Sequence, residues 1–172
     1  NEEINEASGR NIGTLMPIAF IVVIIILFVV YRTFSDTFLN LMALAMAIVW
    51  VYVIGYLLNF TFSPNITAVP LLMIGLGIDY GIHYTLRYRE EIKEDQDIDR
   101  AVRLTGTTVG LAILLTTVTT VVGFSSGIIS DISAVRQFGV LSSLGIASSF
   151  AVMLTFFPAA KVILDRRRKD HG

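Results

Sequence analysis

The 172-residue chain contains no cysteine. That removes disulfides, thiol nucleophiles and cysteine-based metal sites together, and leaves the redox compartment undefined. A surplus of charge is also missing: 13 Lys and Arg stand against 14 Asp and Glu, a formal net charge of −1. No basic face is offered to a nucleic acid. More informative is where charge is absent altogether. Gly13 to Tyr31, Thr37 to Thr67 and Leu104 to Ser130 carry no charged side chain. Uncharged apolar runs of about 18 residues or more exclude an ordinary water-soluble fold and read as bilayer-spanning helices.

What remains is strongly apolar. The chain is 54% hydrophobic with a mean hydropathy of +0.71, above the roughly 45–50% typical of soluble domains. The expected fold is an all-α, polytopic transmembrane bundle, one domain of five spans at about 12–31, 37–58, 66–86, 101–127 and 134–157. The stretch "RYREEIKEDQDIDR" is the single strongly charged connection, expected as a cytoplasmic amphipathic helix over about 88–100. Pro64 suits a turn or a helix entry. A basic cytoplasmic tail, 161–172, closes the chain.

Orientation follows from the cations. With the N-terminus outside, the cytoplasmic segments hold Arg32, Arg87, Arg89, Lys93, Arg100, Arg103, Lys161, Arg166, Arg167, Arg168 and Lys169, leaving only Arg10 and Arg136 outside. Such asymmetry implies N-out, C-in. The chain begins with Asn1 and no signal-peptide pattern precedes the first apolar run, so it is expected to be a segment of a longer polypeptide.

One span breaks the apolar rule. "LLMIGLGIDYGIHYTLRYREE" places Asp79 about 13 residues into the third span, roughly 20 Å from its outer end. A carboxylate there costs at least about 2.5–3.5 kcal/mol on insertion scales, and desolvation favours its protonated form. A group poised between neutral and charged is what a proton carrier needs; a permanently protonated structural Asp is the plainer alternative. His83, at i+4, shares the face of Asp79. It relays or senses the proton, or it sits at headgroup level and bonds a carbonyl. Asp79 and His83 alone lack the further ligands of a metal site, so no metal is expected. Tyr80 is a candidate to bond a facing helix.

Shielding Asp79 from lipid calls for close packing. Gly75, Gly77 and Gly81 thin the third span, with Gly77 and Gly81 forming a GxxxG pair. The fourth span offers a stripe of Thr105, Thr108, Ala112, Thr116, Thr119, Gly123 and Gly127, with Val109, Ile113, Val118 and Val121 on the opposite face. Most of these positions read as packing devices; Thr116, Thr119 and Thr120 are candidates to host a water chain near Asp79.

Taken together, "GLGIDYGIH…RYREE", "AVRLTGTTVGLAILLTTVTTVVGFSSG" and "FGVLSSLGIASS…FFPA" resemble the RND superfamily, closest to its MMPL-like branch. The resemblance implies the five helices that follow a porter domain in one half of a twelve-helix exporter of hydrophobic or amphiphilic compounds. It also implies an Asp-Tyr proton relay at Asp79 and Tyr80, beside the His83 candidate already read from the helix face, with protons as coupling ion; no other cofactor is expected. The implied partners are the lipid bilayer, a hydrophobic or lipid-like substrate, and the other half or a second copy (homodimer or trimer). The implied place is the plasma membrane. By the same resemblance the unit alone should not complete transport. A sterol-sensing module of the Patched type, binding lipid with Asp79 structural, is the alternative; a Sec-type export subunit fits less well. Enzyme activity is not expected, because an intramembrane aspartyl protease needs two carboxylates and only one lies deep.

Overall fold

The computed structural model describes residues 2–60, 64–95 and 97–170. Within them run α1 (Glu2–Tyr31), α2 (Phe34–Leu57), α3 (Pro64–Asp95), α4 (Ile98–Ser125), a short 3-10 turn (Ser126–Ile129) and α5 (Ser133–Asp170). Helices are what lipid permits, since every backbone N–H and C=O must be satisfied inside its own segment. Four stretches are long and apolar enough to cross a bilayer: Phe34–Leu57, Ala68–Glu94, Ile98–Ile129 and Ser133–Arg167. In α1 the apolar helix over described residues is shorter, Pro17–Tyr31. The protein is a helical membrane bundle.

Local chemistry sets the helix ends. Helix α2 stops where Asn59 takes a left-handed conformation at φ 54°. Phe60 N–H then reaches Gly55 O at 3.1 Å and Asn59 N–H reaches Tyr56 O at 3.0 Å, the paired bonds of a Schellman cap. Helix α4 starts at Asp97, whose carboxylate accepts from the N–H groups of Asp99 and Arg100. The start of α3 falls at Pro64, as a helix-entry proline allows.

The charged connection departs from expectation. Among the described residues of 88–100 there is no separate amphipathic helix; α3 runs to Asp95 and α4 begins at Ile98. The basic tail is likewise a continuation, with α5 helical to Asp170. Propagating an existing helix adds one hydrogen bond per residue fixed, whereas a new helix would need a new nucleus. "RYREEIKED" contains no breaker, so the helix continues.

Helix α5 is the hub, packed against α2, α3 and α4, while α1 rests on α3 and α2. Ala43, Ala47 and Val51 of α2, Met73, Tyr80, Tyr84 and Tyr88 of α3, and Leu141, Met153 and Phe157 of α5 form the main core. A second cluster joins Leu27 and Tyr31 of α1 to Leu44, Ile74 and Ile78. Outside, Ile18, Ile21, Ile25 and Val29 of α1 and Leu111, Leu115, Val118 and Val122 of α4 are exposed. Such apolar faces suit contact with lipid or with further protein, not water.

Candidate functional site

Helix α3 has two polar faces, and they do different things. Asp79 and His83, one turn apart, are both exposed and point away from the bundle. They line an open groove of about 610 Å³ between α3 and α4, with Leu76, Tyr80, Leu86, Arg87 and Glu90 on one wall and Thr108, Val109, Ala112, Ile113 and Thr116 on the other. Among the described residues, no hydrogen bond or ion pair holds Asp79 or His83. The shielding expected from α4 is therefore not supplied within this unit: α4 forms one wall and the groove stays open.

Tyr80 behaves differently from its neighbour. It is buried, and its hydroxyl accepts a hydrogen bond from Thr117 Oγ1 at 3.0 Å. That bond joins α3 to α4 beside the groove. Thr117 escaped the sequence reading because it lies off the small-residue stripe. The signal available was that Tyr80, about 100° from Asp79, needs a hydroxyl on the neighbouring helix.

The other threonines are largely engaged with their own helix. Thr116 Oγ1 donates to Ala112 O at 3.1 Å, Thr119 to Leu115 O at 3.1 Å and Thr120 to Thr116 O at 2.7 Å. Only Thr116 of the three borders the groove. Their protons are committed to backbone carbonyls, so a water chain there would have to use their lone pairs.

The glycines divide by face. A Cβ on Gly77 would meet Leu44 and Ser149, and one on Gly81 would overlap the Asn40 side chain. The GxxxG pair thus packs α3 against α2 and α5 rather than against α4. Gly75 and Gly123 have nothing within 4 Å of such an atom. The packing expected of those two is not found among the described residues. The stripe on α4 is similarly outward: Thr108, Ala112, Thr116, Thr119 and Gly123 are exposed, while Thr105, Gly110, Ile113 and Thr117 are buried.

A charge cluster lies at the end that the cation distribution assigns to the cytoplasm. Asp36 of α2 is 2% exposed and Lys161 of α5 is 6% exposed. Lys161 Nζ donates to Asp36 Oδ1, while Arg89 of α3 donates to Asp36 Oδ2 at 2.6 Å and to Thr33 Oγ1. Lys161 also lies 3.7 Å from Asp165, whose other oxygen accepts from the Tyr88 hydroxyl at 2.9 Å. Two carboxylates and two cations offset each other, and three helices are fastened together. Sequence reading placed Asp36 in a loop and Lys161 in a tail, missing both. The run "FFPAAKVILD", with one lysine among apolar residues, was the available hint. Among the described residues, no three His, Cys, Asp or Glu side chains come together to hold a metal.

These features define a class: a multi-pass helical membrane protein whose third helix presents a carboxylate in an open intramembrane groove. Within that class, the chain belongs to the MMPL family, whose model matches residues 1–171. It is similar to a membrane protein of Methanocaldococcus jannaschii, 33% identical over 149 residues, which covers 87% of this chain and 38% of that protein. It is also similar to protein dispatched homolog 1 of Mus musculus and of Homo sapiens, 28% identical over 162 residues in each case. That match covers 89% of this chain but 10% of those proteins. The chain thus spans well under half the length of the relatives it matches.

Proposed function

We propose that this chain is the membrane half-domain of a proton-motive-force-driven, RND-type exporter of hydrophobic or amphiphilic compounds in the plasma membrane, and that Asp79 carries the proton. The observation that carries this reading is the position of Asp79: a carboxylate on the membrane-spanning part of α3, open to a groove and bonded to nothing among the described residues. Left ionised against lipid it would be costly, so the groove calls for a cover. The other half of the transporter, or a second copy, supplies it.

In the proposed cycle, protons arriving from outside neutralise Asp79 and weaken its need for polar surroundings. α3 then shifts against the covering half, and release to the cytoplasm restores the charge. Protonation thus biases one state over the other through its differential stabilisation. Tyr80, held by Thr117, fixes the α3–α4 register beside the carboxylate. His83 lies one turn nearer the cytoplasmic end on the same face, where an imidazole can pass on or sense the proton.

The test is Asp79→Asn in the complete transporter. Proton-dependent export should be lost while expression and thermal stability stay unchanged, because the side chain has no partner among the described residues to lose. Normal export by this variant would refute the mechanism. Recovery of a bound lipid at unchanged occupancy from pH 5 to 8, with no export, would instead favour the lipid-sensing reading.

A further inference from the structure

The inner face of α3, opposite Asp79, gathers buried polar atoms whose bonding is incomplete. Asn40 of α2 is 0% exposed; its Nδ2 donates to the Tyr31 hydroxyl at 2.6 Å, while its Oδ1 has no partner among the described residues. Exchanging the two amide atoms moves the deficit without removing it. Tyr31 would donate to Oδ1, and the amide protons would then lack acceptors.

Thr85 completes the pattern. It is 0% exposed, lies one turn beyond Gly81 on the same face of α3, and has an unpartnered hydroxyl. Outward-facing threonines of α4 settle their hydroxyls on their own helix, as Thr108 does on Leu104 O at 2.7 Å. Thr85 does not. Its side chain instead interacts with the Tyr31 hydroxyl, without reaching full hydrogen-bond geometry. Polar groups of α1, α2 and α3 therefore meet around the Tyr31 hydroxyl in the interior. Two of those groups retain unused bonding capacity.

We propose that Asn40, Thr85 and Tyr31 form a buried water-binding site, with one ordered water bridging the three side chains. Water suits the chemistry because it can donate to Asn40 Oδ1 and accept from Thr85 at once. Leaving both groups bare in a low-dielectric interior is costlier than immobilising one water. A cation is the wrong occupant: Arg89 sits over the Tyr31 ring, 5.9 Å from its centroid, with Lys161 beyond it on the same carboxylate. An apolar ligand would leave the same atoms unpaired. The site lies beside the Asp36 cluster, so the inner junction of α1, α2 and α3 is a wet joint rather than a dry core. It does not depend on Asp79 or on the transport reading.

Radiolytic hydroxyl-radical labelling in ¹⁸O water, applied to the intact protein in nanodiscs, tests the site, because a bound water oxidises the side chains that hold it. Tyr31 is 1% and Phe157 is 0% exposed, so bulk solvent should label neither. After correction for ring reactivity, Tyr31 is expected to take up label several-fold faster than Phe157. Thr85→Val should bring Tyr31 down to the Phe157 rate, and Thr85→Ser should keep it high. Equal rates in the unaltered protein would overturn the proposal, even if the valine variant failed to fold. Undiminished Tyr31 labelling in a folded Thr85→Val protein would overturn it too, by placing the water elsewhere.

Discussion

Replacing Asp36 by Asn tests whether the cluster at the inner ends of α2, α3 and α5 fastens the bundle. The carboxylate accepts from Lys161, Arg89 and Thr33. Removing its charge leaves Lys161, with a side chain 7% exposed, as a buried cation without its nearest counter-charge. Breaking a buried pair from one side costs about 3–5 kcal/mol. Two features favour the low end: Asp165 stands 3.7 Å from Lys161 Nζ, and the Tyr88 ring centroid is 5.6 Å away. Arg89, at 31% side-chain exposure, can turn to water and adds little. The estimate is therefore about 3 kcal/mol, which lowers the melting temperature by roughly 6–12 °C for a domain of this size. Lys161→Met should cost less, because Asp36 keeps Arg89 and Thr33. The double variant Asp36→Leu with Lys161→Met should then recover part of the Asp36→Asn loss, since no buried charge is stranded. Circular dichroism melts of the purified protein in one detergent give all three numbers. An Asp36→Asn protein melting within about 2 °C of the parent, under 1 kcal/mol by the same conversion, would refute the fastening.

The two glycine classes should part under a methyl group. Gly81→Ala would drive a Cβ into Asn40, which Tyr31 holds, and should cost about 1–3 kcal/mol. Gly75→Ala meets open space and should be neutral or stabilising by up to about 1 kcal/mol from helix propensity; the same thermal melts compare them, and equal losses would contradict the packing described. For the Tyr80–Thr117 bond, Thr117→Val and Tyr80→Phe should each cost about 1 kcal/mol, and the double variant should cost less than their sum. Strict additivity in that cycle would mean the two hydroxyls act independently.

The fold was legible because lipid leaves so few options. Uncharged runs longer than 18 residues read as helices in lipid, and each of the five expected stretches lies largely within one helix. The ends were less legible, since nothing in "RYREEIKED" distinguishes a new helix from a prolonged one. Asp79 stood out for the reason a carboxylate in lipid must: it violates the pattern around it. Lys161 and Asp36 violate their surroundings too, but they fall at predicted span ends, where charge is ordinary. Only tertiary packing brings residues 125 positions apart into a buried pair. The direction each helix faces was the least legible feature. A stripe of Thr, Ala and Gly on α4 and the valines opposite it are equally good candidates for the inside. In the structure the valine side is in part the inner one, with Ile113 buried and Val109 half-buried.

That reversal yields a prediction specific to the covered groove. Alternation around α4 places Leu115, 61% exposed, next to Thr116, which is also exposed. Within this unit alone, both would see lipid. A lipid-facing helix has no use for small residues at steps of three and four, because acyl chains conform to any side chain. A helix that meets another protein does, because small residues let two backbones approach. If the other half or a second copy covers the groove, Ala112 and Thr116 lie beneath it while Leu115, about 100° around the helix, stays in the bilayer. The chain contains no cysteine, so single cysteines at 112, 115 and 116 can carry nitroxide spin labels once any elsewhere in the polypeptide are replaced. Collision with dissolved oxygen, measured in membranes of the complete protein, should be frequent at 115 and suppressed at 112 and 116. Asp79→Asn should leave that contrast intact, since cover depends on shape rather than on the proton. Oxygen accessibility at 116 matching that at 115 would mean that lipid fills the groove. The carboxylate would then have no covering half to move against.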